Sequence, residues 1–457
     1  MGFGRGPEYH SDGNNFDDWE LGQAGFRADW DNGKADTFTL EGDLYKGQVG
    51  ELKGIGYVSP PAQLNVRGTW DVSGGNLMLH WRHEFSDGSD LQVRTYYDRT
   101  YRLGVQLGES RNTFDADLIY HRRLGERNDF IGGVDVRLSP SDFIQVQPTV
   151  DFEPHHQNYD LYSTFLQDQI SFVPNRVSLT LGSKFEHNIY TGWEVQPTAR
   201  LLWTPTSQQT IWGAVTRAVR TPSRVDEDLQ LTGAVPGPTP VFVTVLGSHD
   251  FVSEELLGYE LGYRKLLTPK LYLDVSAFWN RYTGLESYGA ASLAVVPSPP
   301  SIDVAVPYAN GIDGRTAGFE IAPDWQPRSW LRLIASYSYL DFNLHDRPGY
   351  TDIGTVQTDE GSSPKNEATF EALANLPGGF EFDPTLRYFD DLPAIPVKAY
   401  TTMDVHIAKH IRQNVALSFV GQNLFQLFHY EFDGDPGPLI GIRRSYYGQI
   451  TWDFKPH

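Results

Sequence analysis

The stretch "SYYGQITWDFKPH", residues 445 to 457, decides how the whole chain is read. Through Phe454 it alternates: Tyr446, Ile450, Trp452 and Phe454 fall on one side of an extended strand, and Gln449, Thr451 and Asp453 on the other. One face is aromatic and apolar; the other is polar. In a water-soluble sheet the apolar face meets a core and the polar face meets solvent. In a membrane barrel the apolar face meets lipid and the polar face lines a lumen. The rest of the sequence chooses between the two.

Alternation of this kind recurs from residue 19 to residue 454, and no amphipathic helix longer than a turn or two is expected. Phe38, Leu40, Gly42 and Leu44 oppose Thr39, Glu41, Asp43 and Tyr45. Trp193, Val195, Ala199, Leu201 and Trp203 oppose Glu194, Gln196, Thr198 and Arg200, and Leu271, Leu273, Val275, Ala277 and Trp279 oppose Tyr272, Asp274, Ser276 and Asn280. These segments run about 10 to 14 residues, longer than the usual five or six of a globular sheet and suited to a strand tilted across a bilayer.

The connections carry more information than the strands. Short turns are expected at 31–34, 86–90, 125–129, 173–176, 204–208, 267–270, 326–329, 376–379 and 409–413. Between them lie longer, irregular connections at 47–70, 103–110, 139–159, 219–253, 284–313, 344–362, 390–397 and 427–441, with a tight link only at 189–192. Short and long connections in strict alternation are the topology of an outer-membrane barrel, with periplasmic turns on one rim and outer loops on the other. The expected fold is therefore all-β, a transmembrane antiparallel β-barrel with about 19 visible strands. The first strand, near Trp19–Asp31, and the last, ending at Phe454, both run toward the periplasm. Even strand numbers require an odd number of further strands upstream, which makes residues 1–18 the tail of an outer loop, 19–454 the barrel, and 455–457 a short extension.

Composition agrees with that class. The 457 residues are 40% hydrophobic with a mean hydropathy of -0.40, and no apolar run approaches the roughly 18 to 20 residues of a spanning helix. Alternating strands keep the average low while every second residue faces lipid. Twenty-four Tyr and 11 Trp suit belts at a membrane interface. A formal charge of -21 excludes a nucleic-acid partner, because phosphate binding needs clustered Lys and Arg. The absence of Cys excludes disulfides and thiolate metal sites. The first twenty residues show no signal-peptide pattern.

At "IWGAVTRAVRTPSRVDEDL", residues 211 to 229, the chain resembles the barrel of a TonB-dependent outer-membrane receptor, in which such a segment leads into a long outer loop. Arg217, Ala218, Arg220, Pro222 and Ser223 match the family segment, while Thr216 stands where Ser is usual. Similar segments follow in family order at 163–172, 177–206, 257–285, 383–393, 421–432 and 447–454. The resemblance implies a 22-strand barrel in the bacterial outer membrane, here without the N-terminal plug and TonB box. It implies import of a scarce nutrient, most often a ferric siderophore, driven through the TonB complex, with lipopolysaccharide and the outer-membrane insertion machinery as further partners. The insertion signal would comprise Trp452 and Phe454, although "KPH" follows. The family is not enzymatic and no cofactor is implied. A passive porin-like channel or structural barrel is the alternative.

Chemistry is sparse, with no Gly-x-Ser-x-Gly, His-Glu-x-x-His or Walker loop. "GQVGELKGIG" (47–56) lacks the strand-to-helix setting of a dinucleotide site and reads as loop. His155 and His156 with Glu153 have metal-ligating side chains, but adjacent histidines in an exposed acidic loop read as solvated, so no metal site is expected. Arg217, Arg220 and Arg224 are either anion clamps or partners of Asp226, Glu227 and Asp228 that order the loop base; the second reading is preferred. Arg94, Asp98, Lys184, Glu186, Asp274, Arg332 and Arg387 are expected to face a wet lumen. The apolar loop 219–253 is expected first to pack against neighbouring loops and second, through Phe242, to share a candidate ligand vestibule with Tyr288, Tyr308 and Tyr350.

Overall fold

The computed structural model describes residues 2–6, 9–10, 16–58, 61–351, 353–412, 414–432 and 440–452. Eight of the nine expected short turns lie wholly among them, and the ninth, 409–413, does so through residue 412. Each joins two strands as a hairpin, from Trp19–Asp31 with Asp36–Val58 to Tyr400–Arg412 with Val415–Gln422. Nine hairpins supply eighteen strands, and Ser445–Trp452 makes the nineteenth. Every neighbour in this wall is antiparallel. The first turn shows why the sequence turns there: Gly33 adopts a positive φ of 68°. The Asn32 carboxamide oxygen accepts hydrogen bonds from the backbone N–H groups of Lys34, Ala35 and Asp36.

Register shows what each face is made of. Phe26, Gly42, Leu77, Tyr97, Phe114 and Leu138 stand opposite one another across six strands. One residue away, the row reads Arg27, Glu41, Met78, Tyr96, Asp115 and Arg137. The first row is a lipid-facing band and the second a polar lumen lining tied by Arg27–Glu41 at 2.7 Å and Arg137–Asp115 at 2.8 Å. Apolar side chains on the outer face are open to the surroundings, with Leu44 71% and Leu261 62% exposed. Aromatic rings gather where a bilayer meets water. Trp30, Phe38 and Trp81 follow one another near the short turns, with centroids 5.3 and 6.2 Å apart. Tyr162, His187 and Trp193 do the same at the opposite rim.

The closing strand follows the same rule. Tyr446, Ile450 and Trp452 lie opposite Gly421, Leu417 and Val415 and are exposed with Phe419, while Gln449 and Thr451 lie opposite Ser418 and Ala416. Its aromatic side faces lipid. Phe454 and residues 455–457 lie outside the described residues.

Two expectations change. Residues 1–18 include a strand, Gly2–Arg5, paired antiparallel with Trp19–Gly22, so a short upward strand precedes the first long one. Among the described residues it brings the wall from nineteen strands to twenty. Residues 47–70 are not irregular: Asp36–Val58 and Pro61–Glu84 pair without interruption from Asp36↔His83 to Val58↔Pro61. A spanning strand needs about 9 to 11 residues, so the upper part of this hairpin, roughly 12 residue pairs or about 40 Å, stands beyond the membrane. The glycines of 47–56 allow close approach here. A Cβ on Gly50 would sit 2.0 Å from the Phe16 carbonyl oxygen.

The outer connections fold on one another. Val150–Phe152, Leu229–Val235, Val241–Leu246, the start of Pro300–Arg328 and Ser292–Pro297 form a second sheet in that order. Its pair Val241↔Ile302 to Leu246↔Pro307 is parallel. Here, rather than in the wall, side chains pack tightly. Phe143, Val150, Phe152 and Leu229 form a buried apolar cluster with Leu107 and Tyr308 against it.

Candidate functional site

The site is built where the strand Gln209–Arg220 leaves the wall. Ser223 caps the short helix Arg224–Asp228, its hydroxyl accepting from the N–H groups of Val225 and Asp226 while its own N–H donates to the Asp226 carboxylate at 2.7 Å. Pro222 lies just before that cap. The reciprocal bonds hold Asp226, almost fully buried, under Arg220.

Arg220 donates to Asp226 at 3.0 Å, to Glu254 at 2.8 Å and to Glu286 at 3.1 Å, and lies over the Phe251 ring. Hydrogen bonding to Glu254, with the charge of Asp226 beside it, holds its guanidinium above the ordinary arginine value. Burial pushes Glu286 up to about 7, the charge of Asp226 adding to the effect and Arg220 opposing it. Arg217 donates to Glu255 at 2.7 Å and to the Val195 carbonyl, and Arg224 lies 3.6 Å from Asp228, donates to the Pro154 carbonyl and covers Phe152. Glu227 takes another partner, His249, at 3.1 Å. Burial raises the pKa of Glu227 and Asp228 alike, opposed at Glu227 by His249 and at Asp228 by Arg224.

Two of the four candidate vestibule residues meet directly. Tyr288 and Tyr308 stack with centroids 5.5 Å apart and planes at 22°, and burial next to Tyr288 raises the Tyr308 hydroxyl pKa. Tyr350 lies against Gly311, where a Cβ would meet its ring at 2.7 Å. Phe242 is not part of this group. It pairs with Ala234 and Asp303, five residues or about 16 Å from Tyr308 along the strand. Trp452 is exposed opposite Val415, at the other end of the molecule.

The sequence reading missed Glu254, Glu286 and Asn310. Asn310 donates to the carbonyls of Val252 and Gly284 and accepts from the Val252 N–H, which fastens two connections at one buried side chain. These residues lie 34, 66 and 90 positions beyond Arg220; the strand pairing Arg220↔Glu254 brings the first to it, and the Glu286 N–H donates to the Glu254 carboxylate. The trio Glu153, His155 and His156 is divided: His155 turns to Asp151 at 2.7 Å and His156 to Asp142 at 2.8 Å. Asp151, Glu153 and His155 do bring one donor atom each to within 4.8 Å of one another.

The lumen charges are paired, Lys184 with Glu186 along one strand and the others between neighbouring strands: Arg94 with Asp117, Arg264 with Asp274, Arg332 with Asp324 and Arg387 with Asp404. Asp98 faces Asn76 across the ladder.

No curated protein matches the sequence. Among solved structures, the chain is similar to a mutant of the ferric enterobactin receptor PfeA from Pseudomonas aeruginosa, with a TM-score of 0.76 and 12% identity over 98% of this chain and 72% of that one. It is similar to the siderophore receptor PirA from Acinetobacter baumannii, with a TM-score of 0.73 and 12% identity over 96% and 71%. The copper transporter OprC shares the fold at a TM-score of 0.72 and 12% identity over 99% and 75%. The model of the TonB dependent receptor-like β-barrel matches residues 3–424. With that match over most of its length, the chain belongs to the TonB-dependent receptor β-barrel family, whose members are proteins of the outer membrane.

Proposed function

We propose that this chain is the barrel of an outer-membrane receptor that imports a ferric siderophore or a similar bulky chelate, with energy delivered through the TonB complex by a plug inside the barrel. The observation that carries the reading is the pairing of a polar lumen with a folded lid: a wall lined by Arg–Asp and Arg–Glu pairs lies below an ordered sheet of outer loops. A passive pore has no use for loops this elaborate. The neighbours in fold include receptors for siderophores and a copper transporter, which supports a metal complex as cargo.

In this reading 19–454 is the barrel, and Gly2–Arg5, paired with Trp19–Gly22, extends its wall at the outer rim. Tyr288 and Tyr350 present rings to an aromatic chelate, while Tyr308 supports Tyr288 from the packed side. Arg217, Arg220, Pro222 and Ser223 hold the lid's base rather than the ligand, since both guanidiniums already face carboxylates. Lipopolysaccharide surrounds the apolar band, and the closing strand with Trp452 and Phe454 is what the insertion machinery reads.

The test is uptake of an iron-59-labelled chelate panel by iron-limited cells that express the receptor. One chelate should accumulate, accumulation should stop when the proton gradient is collapsed, and Tyr288→Ala with Tyr350→Ala should weaken it. Entry that is indifferent both to the gradient and to the chelate would establish a passive channel instead.

A further inference from the structure

Away from the lid, the strands Phe380–Phe389 and Tyr400–Arg412 pair just above the turn 376–379. Asp383 stands opposite His406 and Glu381 opposite Ala408. Two-residue spacing puts Glu381 and Asp383 on one face, with His406 and His410 beside them. The other face carries Phe380, Phe382 and Ile407, all exposed in the apolar band, so the four polar side chains line the lumen at its lower end. His406 Nδ1 lies 2.9 Å from Asp383 Oδ2, and His410 Nε2 lies 2.8 Å from Glu381 Oε1. One donor atom each from Glu381, Asp383 and His406 falls within 4.8 Å of the others.

We propose that this group binds a divalent transition-metal ion, Zn²⁺ or a neighbour such as Co²⁺ or Ni²⁺, through Glu381, Asp383 and His406, with His410 as a fourth ligand or a bridge to Glu381. Ligands of a tetrahedral ion at about 2.0–2.2 Å stand about 3.3–3.6 Å from one another, so small side-chain rotations close the set of Glu381, Asp383 and His406, while His410 reaches it through Glu381. Two imidazoles with two carboxylates suit borderline ions and not Mg²⁺ or Ca²⁺, which take oxygen ligands. The strand ladder fixes the Cβ positions, a firmer base than a loop offers. Nearby cations do not compete. Lys409 points to the opposite face, over the Phe380 ring, and the inward Arg387 is paired with Asp404. The outer group of Asp151, Glu153 and His155 sits in a connection and offers one imidazole, which makes it a control. An ion in this place pins two wall strands together near the periplasmic rim, independently of what the receptor imports.

The experiment is Zn²⁺ titration of the full chain, stripped of metal and held in detergent micelles, by calorimetry and by the visible absorption of the Co²⁺ form. One saturable site is expected. Its affinity should fall at least the ten- to hundred-fold known for losing supporting groups in Asp383→Asn and in His406→Gln. His155→Gln should leave it unchanged. Heat-modifiable gel migration reports that each variant is folded, and Glu381→Gln replaces any that is not. No saturable binding by the native chain, or binding that survives both lumen substitutions, or binding lost through His155→Gln, would overturn the proposal.

Discussion

The membrane wall and the outer-loop sheet are both β-structure, and they are stabilised in different ways. The wall has no packed interior. Its apolar rows meet lipid, its polar rows meet the lumen, and cross-strand ladders with cross-strand ion pairs hold it together. The outer sheet behaves like a small globular protein, with Phe143, Val150, Phe152 and Leu229 packed out of water and Asp226, Glu227 and Asp228 buried beside partners. A barrel supplies backbone order from lipid exclusion, so its side chains are free to vary. A lid standing in water must build a core of its own.

The contrast is open to direct attack, first through which region lies outside. The chain has no native Cys, so Gly237→Cys in the loop 219–253 should react fully with an impermeant thiol reagent on intact cells, and Pro269→Cys in the turn 267–270 should not react at all. The reverse pattern would invert the molecule. Next in size is Phe152→Ala, which should cost about 3–5 kcal/mol of local lid stability. It should release hydrogen-exchange protection across 229–246 while the wall keeps its heat-modifiable migration. Loss of both together would show that lid and wall are one cooperative unit. Leu261→Lys on the lipid face should then cost about 2–4 kcal/mol in reversible unfolding, and Ser276→Lys, on the lumen face within reach of Glu320, should cost little. Equal costs would mean the strand phase is wrong.

The smallest effect is a pH slope confined to the lid. Glu286 is raised in the folded state to about 7, from an ordinary carboxyl value near 4.5, so between these limits the folded lid keeps a proton that the unfolded chain has lost. Its contribution is favourable at low pH and is lost as pH rises through about 7. Exchange protection around Glu286 should decline over that window in the native chain and stay flat in Glu286→Gln.

The sequence foretold the wall far better than the lid, and physics explains the division. Alternation is imposed wherever one face meets lipid, so segments such as 38–45 and 271–280 were legible, as were turns fixed by Asn32-Gly33. Above the membrane neither face meets lipid, and the rule lapses. Residues 47–58 carry on as strand with no alternation to mark them. The lid's contacts join residues far apart in the chain: Arg220 finds Glu286, Arg224 finds Pro154, and Tyr308 reaches the cluster of Phe143, Val150, Phe152 and Leu229. Composition marked Tyr288 and Tyr308 as candidates, but nothing local separated them from Phe242, which the register carries elsewhere.

The parallel pairing of Val241–Leu246 with Ile302–Pro307 has a kinetic consequence. Each wall hairpin closes a turn of a few residues, a local search that is over early. The parallel pair joins segments about 60 residues apart with a complete hairpin of the wall between them, and non-local contacts form late. Maturation therefore passes through a stage in which the wall is assembled and the lid's strands Val241–Leu246 and Ile302–Pro307 still offer unpaired edges. At that stage the nascent protein is most exposed to proteases and to mispairing with other chains.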